Sequence, residues 1–556
     1  MNRTESPPIA AAPPQPAIAA TAHPLATEAA LRMLQRGGTA MDAAIAAQMV
    51  LGLVEPHASG IGGGTLILHW DARSRRLRSW DGLSAAPART TAGLRVDTDG
   101  TLLPSDPSQR GGRTVGVPGT VPVFWMAHGQ TGRLPWRELF EPAIEAAEKG
   151  FPMPAYLHAV LSSPSNAPAL KAFSEWYAAP DGRPWPAGTV LRHPGYAVAL
   201  RELADKGAPR WLGDGAAQRL AQAAQQGYRP SLMTAQDVQD YRPVEREPVC
   251  APFQAWRVCT AAPPSFGGIA VLQILQMVDA RAGGRFDFAD PAFVHLYAEA
   301  GRLAQADRRQ HVGDPDHVRV PAAGLVSQNY TRQRAALIDP QRAMASPAAG
   351  RPAGTAGVAW VPDDGPAHAQ TSQMAIADAE GNVVSVTTTN NLNFGARLAA
   401  DGYVLNNAMT NFAAAPRAGE VSANAMAPRK RPVTSMAPTI VFDADGRPVI
   451  AGGSAGGGPI VDYVAAALID MLANGRTPQQ AVSRAHVSTA GAKVQFEKDT
   501  TAATLAPALA ARGHEVEVLP LNSGQAFIRR EGTRWIGAAD PRRDGVARAL
   551  PQPASP

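Results

Sequence analysis

The stretch TSQMAIADAEGNVVSVTTTNN, residues 371–391, predicts a β-hairpin whose first residue is a threonine. Met374 and Ile376 alternate with small and polar residues, which gives the first strand one apolar face. Turn-forming residues occupy 378–382, and a β-branched run at 383–389 predicts the second strand. Hairpins of this kind are common structural elements, so the pattern by itself specifies two paired strands and no activity.

Cleavage of the peptide bond before Thr371 would give this residue a hydroxyl and a free α-amine together. The amine is a base with an ordinary pKa of about 8, and it would lie within reach of the hydroxyl proton. One residue would then supply both nucleophile and general base. A hydrolase built in this way needs no catalytic histidine.

The composition describes a large globular protein. At 556 residues the chain is long enough for two to four domains or for one large enzyme built from two halves. It is 45% hydrophobic and only 18% charged, which indicates a substantial core. The net charge is +5, and no basic stripe with interleaved aromatic residues is present, so nucleic acid is excluded as the expected partner. The one dense basic run, residues 429–431, is interpreted as a solvated loop or an internal salt-bridge site.

Cys250 and Cys259 are nine residues apart and could face each other across a hairpin, but we expect two buried free thiols. The sequence supports no metal site and no cofactor, since no histidine pair has ligand spacing with an acidic helper. Residues 1–17 are expected to be a disordered segment, because the start of the chain is rich in proline and alanine and lacks the apolar core of a secretory signal. No apolar run of about eighteen residues occurs, so we expect no membrane span and favour a cytoplasmic location.

Apolar periodicity predicts alternating helices and strands along most of the chain. Thr39 and Asp42 form a predicted capping box at the start of an alanine-rich buried helix. The predicted helices are 24–36, 40–53, 136–149, 216–225, 268–280, 291–310 and 459–472, and the predicted strands outside the threonine hairpin are 18–21, 65–70, 439–442 and 448–452.

Two glycine-rich segments are candidates for a close approach of backbone. The run at 60–64 follows a helix and precedes a strand and lacks a lysine, so it predicts a tight backbone crossing and not a phosphate loop. Gly456 and Gly457 lie between a strand and a helix start, where free N–H groups suit an anionic oxygen. Structural glycines are the alternative interpretation of the second segment.

Further polar residues could surround Thr371. Thr389 and Asn391 close the hairpin and could return near the threonine, while Thr434 and Ser435 add hydroxyl groups able to hold a polar part of a substrate. Each of these residue types is more often found in turns and on surfaces, so no single one of them establishes a site.

Taken together, the motifs resemble the γ-glutamyltransferase superfamily of N-terminal nucleophile hydrolases, and the resemblance covers nearly the whole chain. The motifs stand in the family's order: HPLAT (23–27), EPHASGIGGG (55–64), GVPGTV (116–121), PPSFGG (263–268), ADR (306–308), GDPD (313–316), the threonine hairpin, KRPVTSMAPT (430–439), GGSAGGGP (452–459) and GAADPRRDG (537–545).

The resemblance implies an α+β fold, a four-layer αββα sandwich, and self-cleavage between Gln370 and Thr371. A large subunit, 18–370, and a small subunit, 371–556, would form a heterodimer. Thr371 would be the nucleophile, Thr389 would hydrogen-bond it, and Gly456 and Gly457 would donate the oxyanion-hole N–H groups. The implied substrate is a small-molecule amide, and water or an amine would accept the acyl group.

The departures from the family pattern that matter most concern the substrate. Leu83 in DGLS (81–84) replaces the arginine that binds a glutamyl α-carboxylate in this family, and Asn411 in NNAMTNF (406–412) replaces the acid that holds the α-ammonium. Each lost charge-assisted bond is worth about 1.5–3 kcal/mol. The neutral Asn391, Thr434 and Ser435 remain as substrate-binding candidates.

The sequence resembles cephalosporin-acylase-like members of the superfamily, which remove a dicarboxylic side chain such as glutaryl. The loop 413–423 resembles a shortened lid, which would leave the acceptor side open. The alternatives are a true γ-glutamyltransferase or glutathione hydrolase, an amidase for a small acid amide such as oxamate, and an uncleaved binding protein without activity. Family members are often exported, so a periplasmic location is the alternative to the cytoplasm.

Overall fold

The computed structural model describes residues 16–91, 110–355, 360–363, 370–413, 421–491 and 493–551. The strands in these ranges are β1 (Ile18–Thr21), β2 (Gly64–Asp71), β3 (Arg76–Gly82), β4 (Phe151–Pro152), β5 (Val190–Leu191), β6 (Val244–Arg246), β7 (Val249–Phe253), β8 (Trp256–Thr260), β9 (Gln370–Ala377), β10 (Val383–Asn391), β11 (Ala399–Ala400), β12 (Tyr403–Val404), β13 (Thr439–Phe442), β14 (Pro448–Gly453), β15 (Val487–Ser488), β16 (Val494–Glu497), β17 (Val516–Leu519), β18 (Ala526–Glu531), β19 (Arg534–Ala539) and β20 (Val546–Ala549).

The α-helices in the same ranges are α1 (Pro24–Gln35), α2 (Ala40–Val54), α3 (Thr120–Thr131), α4 (Glu141–Lys149), α5 (Ala155–Ser162), α6 (Ala167–Ala172), α7 (Ser174–Tyr177), α8 (Pro194–Lys206), α9 (Ala208–Trp211), α10 (Ala217–Gln225), α11 (Ala235–Asp240), α12 (Phe266–Arg281), α13 (Pro291–His311), α14 (Ala322–Leu325), α15 (Gln328–Ala336), α16 (Ile460–Leu472), α17 (Pro478–Val482) and α18 (Ala506–Ala511).

Two antiparallel sheets form the centre of the molecule. The first sheet has the order β20-β1-β9-β10-β2-β3-β6, and the second has the order β19-β18-β14-β13-β8-β7. Apolar side chains from both sheets meet between them, among them Ile18, Leu68, Ile440 and Ile528. Because side chains alternate between the two faces of a strand, each sheet presents a second apolar face to helices.

Helices cover the outer face of each sheet. α1 and α2 pack with the first sheet in one large core, and α12, α13 and α16 pack with the second sheet in another. The resulting order is helix, sheet, sheet, helix, which confirms the predicted four-layer αββα sandwich. All but one of the residues of α2 are buried, since its alanines allow close packing.

Local sequence signals explain the element boundaries. The Thr39 hydroxyl accepts the Asp42 N–H at 3.2 Å, and the Asp42 carboxylate accepts the Thr39 N–H at 2.9 Å, so the predicted capping box is present. The predicted helix 136–149 is divided into a 3₁₀ turn, Trp136–Phe140, and α4. Pro142 stands in the first turn of α4, where a missing N–H is tolerated.

The expectation of two free thiols is wrong, because Cys250 and Cys259 form a disulfide. The two residues are direct partners in the register of β7 and β8, with their Cα atoms 4.1 Å apart. Directly opposed residues of an antiparallel pair are close enough to be bridged.

Most of the expected disordered segment, residues 1–15, lies outside the described residues. Ala17, the last residue of the expected segment, is buried, and its carbonyl accepts the Leu550 N–H at 2.8 Å. Within the described residues, no helix is both long and apolar enough to cross a lipid bilayer.

Candidate active site

The hairpin of β9 and β10 places Thr371 near one end of the first sheet. Its turn is held by the Asp378 carboxylate, which accepts the N–H groups of Glu380 and Asn382 at 3.1 and 2.9 Å. The strands pair regularly from Val383 to Thr388 and then become irregular before Asn391 pairs with Gln370. Asn391 has a positive φ of 76° at this irregularity, opposite the start of β9. The predicted hairpin is therefore confirmed, and its open end lies at Thr371.

Thr371 is fully buried, and backbone and side-chain donors hold it from two sides. Its hydroxyl oxygen accepts the Gly456 N–H at 3.2 Å, and its carbonyl oxygen accepts Nη1 of Arg543 at 3.0 Å. Gly456 and Gly457 have positive φ values of 127° and 73°. A Cβ on Gly456 would lie 2.8 Å from the Asn522 carbonyl oxygen, so the turn requires glycine.

The residue before Thr371 is held as well. The Thr389 hydroxyl donates to the Gln370 carbonyl oxygen and accepts the Asn391 N–H at 2.7 Å. Nη2 of Arg543 donates to Oε1 of Gln370 at 3.0 Å. The Gln370–Thr371 peptide is thus fixed on both sides, with a hydroxyl donor on its carbonyl oxygen. The predicted contact of Thr389 with Thr371 concerns the cleaved chain and stays a prediction.

A buried acid, Glu55, lies behind Arg543. Oε1 of Glu55 is 3.8 Å from Nη1 of Arg543, and Oε2 accepts the Ser372 hydroxyl at 2.5 Å. Burial is the main cause that raises the pKa of Glu55 to about 7, against the opposing effect of the Arg543 charge. Burial, reinforced by Arg543, lowers the pKa of His57 to about 3, so this imidazole is neutral at pH 7.

A small open cleft lies beside this constellation, and we call it the acyl cleft. It is lined by Gly64, Leu83, Ser84, Thr389, Asn391, Ala408, Asn411, Pro432, Val433 and Thr434. Four of the five substrate-binding candidates therefore lie together in one cleft. The fifth, Ser435, uses its hydroxyl to hold the Gly457 carbonyl oxygen at 2.7 Å, so it supports the glycine turn.

The glycine run at 60–64 is a backbone crossing, as expected. A Cβ on Gly63 would lie 2.3 Å from the Thr389 carbonyl oxygen, and the Gly60 carbonyl accepts the Gly63 N–H at 3.1 Å. The absence of a side chain at Gly63 therefore allows the backbone of β10 to lie close to this run at Thr389. Among the described residues, no group of three or more His, Cys, Asp or Glu side chains is placed to hold a metal ion. Most of the predicted short lid, residues 414–420, lies outside the described residues.

The chain is similar to known proteins along nearly its whole length. A model of the gamma-glutamyltranspeptidase family matches residues 26–550. The chain belongs to this family. It is 32% identical to a glutathione hydrolase proenzyme of Bacillus subtilis, covering 95% of this chain and 91% of the relative. It is 33% identical to the Acylase ACY 1 proenzyme of a Pseudomonas species, covering 95% and 93%. Its structure resembles cephalosporin acylase from Bacillus halodurans with a TM-score of 0.82 and 26% identity over 99% of both chains.

Membership of the gamma-glutamyltranspeptidase family confirms the fold and the enzyme class inferred from the motifs. The protein is an enzyme of the N-terminal nucleophile hydrolase type, an amidohydrolase or acyltransferase. The names of the relatives divide between glutathione hydrolases and acylases, so they support this class and not one substrate.

Three residues of the site received no role from the sequence: Glu55, Ser84 and Arg543. Glu55 and Arg543 belong to the motifs EPHASGIGGG and GAADPRRDG. The available signal was a charge within each of these motifs, but neither motif shows that the two residues lie together. Ser84 follows Leu83 in the cleft, but the sequence has no local pattern that separates it from a surface serine.

Proposed function

We propose that this protein is a precursor that cleaves itself between Gln370 and Thr371 and then hydrolyses an acyl amide through an acyl-enzyme on Thr371. The observation that carries the proposal is the fixed Gln370–Thr371 peptide. Its carbonyl oxygen accepts the Thr389 hydroxyl, and the attacking hydroxyl of Thr371 is held by the Gly456 N–H. The expected products are a large subunit, 18–370 with any residues that remain before it, and a small subunit, 371–556.

In the proposed cleavage, the Thr371 oxygen attacks the carbonyl carbon of Gln370 while its proton passes to the Thr371 nitrogen. The amide becomes an ester, and water hydrolyses this ester to a Gln370 carboxylate and a free Thr371 hydroxyl. The Thr389 hydroxyl is placed to stabilise the negative charge that develops on the Gln370 oxygen. Arg543 holds both residues, which keeps the reacting atoms aligned.

In the proposed turnover, the new α-amine takes the hydroxyl proton as Thr371 attacks the carbonyl carbon of the substrate amide. The N–H groups of Gly456 and Gly457 stabilise the tetrahedral oxyanion, and the leaving amine takes the proton. Water, or an amine acceptor, then attacks the ester and releases the acyl group. Thr389 would hydrogen-bond the nucleophile once the Gln370 carbonyl has left.

For the acyl group we propose one of γ-glutamyl or glutaryl size, with hydrolysis favoured over transfer. Leu83 and Asn411 line the acyl cleft in place of the charged residues that grip a glutamyl head. The similarity to an acylase proenzyme and to a cephalosporin acylase supports an acylase. The similarity to glutathione hydrolase proenzymes supports the main alternative, a γ-glutamyltransferase or glutathione hydrolase. An amidase for small acid amides and an uncleaved binding protein are the remaining alternatives.

Denaturing electrophoresis with intact-mass analysis and N-terminal sequencing tests the proposal. We expect two unequal fragments from the wild type, with Thr371 as the first residue of the smaller one. A Thr371→Ala variant should stay uncleaved and lose anilide hydrolysis by at least about a thousandfold, because it lacks the nucleophile.

A Thr439→Ala variant is the matched control, since Thr439 is also a buried strand threonine and, among the described residues, its hydroxyl bonds the Ala437 carbonyl of its own segment. It should mature and turn over like the wild type. A single uncleaved wild-type chain, or a Thr371→Ala variant with full turnover, contradicts the proposal.

A further inference from the structure

The acyl cleft has no charged side chain among the described residues that line it. Resting on the proposed function, we propose that the acyl group transferred by this enzyme is short and uncharged, and that it ends in a neutral hydrogen-bonding group such as a primary amide. Three features of the cleft support this: its apolar part, the pairing of the charges next to Leu83, and two buried polar atoms without partners among the described residues.

The apolar part of the cleft includes Leu83, Ala408 and Val433, which come from three separate segments of the chain. Leu83 is only 4% exposed, and its N–H donates to the Asp81 carboxylate at 2.9 Å. This bond fixes the backbone at Leu83, and Leu83 lines the cleft whereas Asp81 does not. A methylene chain of the acyl group finds apolar contacts here.

The charged groups behind Leu83 are paired with each other. Asp81 lies 2.8 Å from Arg246 and 3.5 Å from Arg431, and Arg246 also contacts Asp316 at 2.7 Å and Asp314 at 3.4 Å. Three carboxylates thus surround two guanidinium groups. Neither arginine has charge left to neutralise a substrate carboxylate, so an ionised acyl tail would be desolvated in the cleft without a counter-ion.

Two buried polar atoms of residues that line the cleft have no hydrogen-bond partner within the described part of the chain: the Ser84 hydroxyl and Oδ1 of Asn391. Their residues are 2% and 0% exposed. Buried polar atoms in native proteins are nearly always satisfied, so an orphaned pair that lines a cleft indicates a polar ligand group. A donor on that group would bind Asn391, and an acceptor would bind Ser84.

The orientation of the Asn391 amide is fixed by its neighbours. Its nitrogen donates to the Asn407 carbonyl oxygen at 3.1 Å and to the Thr410 hydroxyl oxygen at 2.8 Å. The Thr410 hydroxyl donates its own proton to the same Asn407 carbonyl at 2.9 Å, so it can only accept from Asn391. The atom of the Asn391 amide that is left for a ligand is therefore its acceptor oxygen.

A terminal primary amide matches this pair of atoms. Its N–H donates to Oδ1 of Asn391, and its carbonyl oxygen accepts the Ser84 hydroxyl. A carboxylate has no proton for Oδ1 of Asn391 and meets a repulsive dipole there, while a plain alkyl tail leaves both atoms unpaired. We therefore expect the cleft to bind an acyl group with a neutral polar tail more favourably than one with a charged tail or an apolar tail.

Four p-nitroanilides of equal chain length test this ranking with the full, self-cleaved protein. Their acyl groups are 4-carbamoylbutanoyl, glutaryl, γ-L-glutamyl and pentanoyl. We expect kcat/KM for the carbamoylbutanoyl anilide to exceed that of each charged anilide at least tenfold. Equal or faster hydrolysis of either charged anilide overturns the inference, and so does cleaved protein that leaves the carbamoylbutanoyl anilide intact. Failure of the proposed function is distinct, because it appears as an uncleaved chain.

Two variants test the residues. Leu83→Arg should raise kcat/KM for the glutaryl anilide at least tenfold and lower that for the carbamoylbutanoyl anilide, while Leu83→Met, matched in bulk but neutral, should show no gain with glutaryl. Ser84→Ala should lower the ratio of carbamoylbutanoyl to pentanoyl kcat/KM about tenfold. A glutaryl gain in Leu83→Met, or an unchanged ratio in Ser84→Ala, contradicts the assignment of these side chains.

Discussion

At the scale of single residues, the centre of this molecule combines a buried ion pair with a peptide bond proposed to break. Arg543 stacks over the Tyr156 ring at 4.9 Å and holds the Thr371 carbonyl and the Gln370 side chain. The Glu55 carboxylate offsets its charge and accepts the Ser372 hydroxyl. Glu55 is thus linked to the Gln370–Thr371 peptide through Arg543 and to the residue that follows it, Ser372, by a direct hydrogen bond.

The ionisation of Glu55 near neutral pH should affect both the stability of the precursor and its self-cleavage. Its folded pKa, about 7, lies above the ordinary 4.5, so the native state keeps the proton between those values. The stability that this proton contributes is fully present below about pH 4.5 and is lost as pH rises through 7. Self-cleavage should show the opposite trend and accelerate through about pH 7, because ionised Glu55 holds Ser372 and offsets Arg543.

A time course of precursor disappearance at pH 5.5 to 8.5, with cell-free synthesis as the starting point, measures this dependence. A Glu55→Gln variant should cleave at least about tenfold more slowly at pH 8 and lose the step near pH 7. Glu380→Gln is the control, since Glu380 pairs with Arg133 at the exposed hairpin turn. An unaltered step in Glu55→Gln would assign the titration to another group.

At the scale of elements, the hairpin β9–β10 and the glycine turn before α16 were predictable because their signals are local. The alternation of the strands and the turn at Asp378 lie within one stretch of about twenty residues, and the strand-to-helix glycine run is a short local pattern of its own. The partners of Thr371 were not predictable in this way. Arg543 lies 172 residues away from Thr371, and its contact depends on how β20 and the preceding turn dock onto the first sheet.

The disulfide shows the same limit. The spacing of Cys250 and Cys259 allowed a bridge, but only the register of β7 and β8 decides whether the two side chains face each other. A shift by one residue would turn one cysteine to the other face of the sheet. The register of β7 and β8 depends on the turn between them and on the neighbouring strand β13. The spacing of the two cysteines in the sequence gives no information on either.

The β7–β8 disulfide gives a prediction for this element. Replacing both cysteines by alanine should lower the free energy of unfolding by about 2–3 kcal/mol, because a closed loop of this length restricts the unfolded chain. Anilide hydrolysis should persist, since the bridge lies outside the acyl cleft. Denaturant unfolding measures the change. Reducing agent should destabilise the wild type by a similar amount and leave the double variant unaffected, whereas two alkylatable thiols in the purified wild type would contradict the bond.

At the scale of the whole molecule, the two proposed subunits share both sheets. In the first sheet, β1 of the large part lies between β9 and β20 of the small part, and β10 pairs with β2. In the second sheet, β13 of the small part pairs with β8 of the large part. Residues on both sides of the cleavage position therefore contribute to one continuous core between the sheets.

This interleaving predicts that the cleaved fragments stay together without a covalent link. The disulfide lies within the large part, so it cannot hold the two together. Size-exclusion chromatography with native mass spectrometry should show one heterodimer in the presence of reducing agent, and thermal unfolding should show one transition followed equally by both fragments. Each fragment expressed alone should be insoluble or unfolded, since β1 would lose both strand partners and β13 one of them. Co-expression of the two fragments should restore a soluble heterodimer. Separate elution of folded fragments under native conditions would show that the shared sheets do not bind the subunits together.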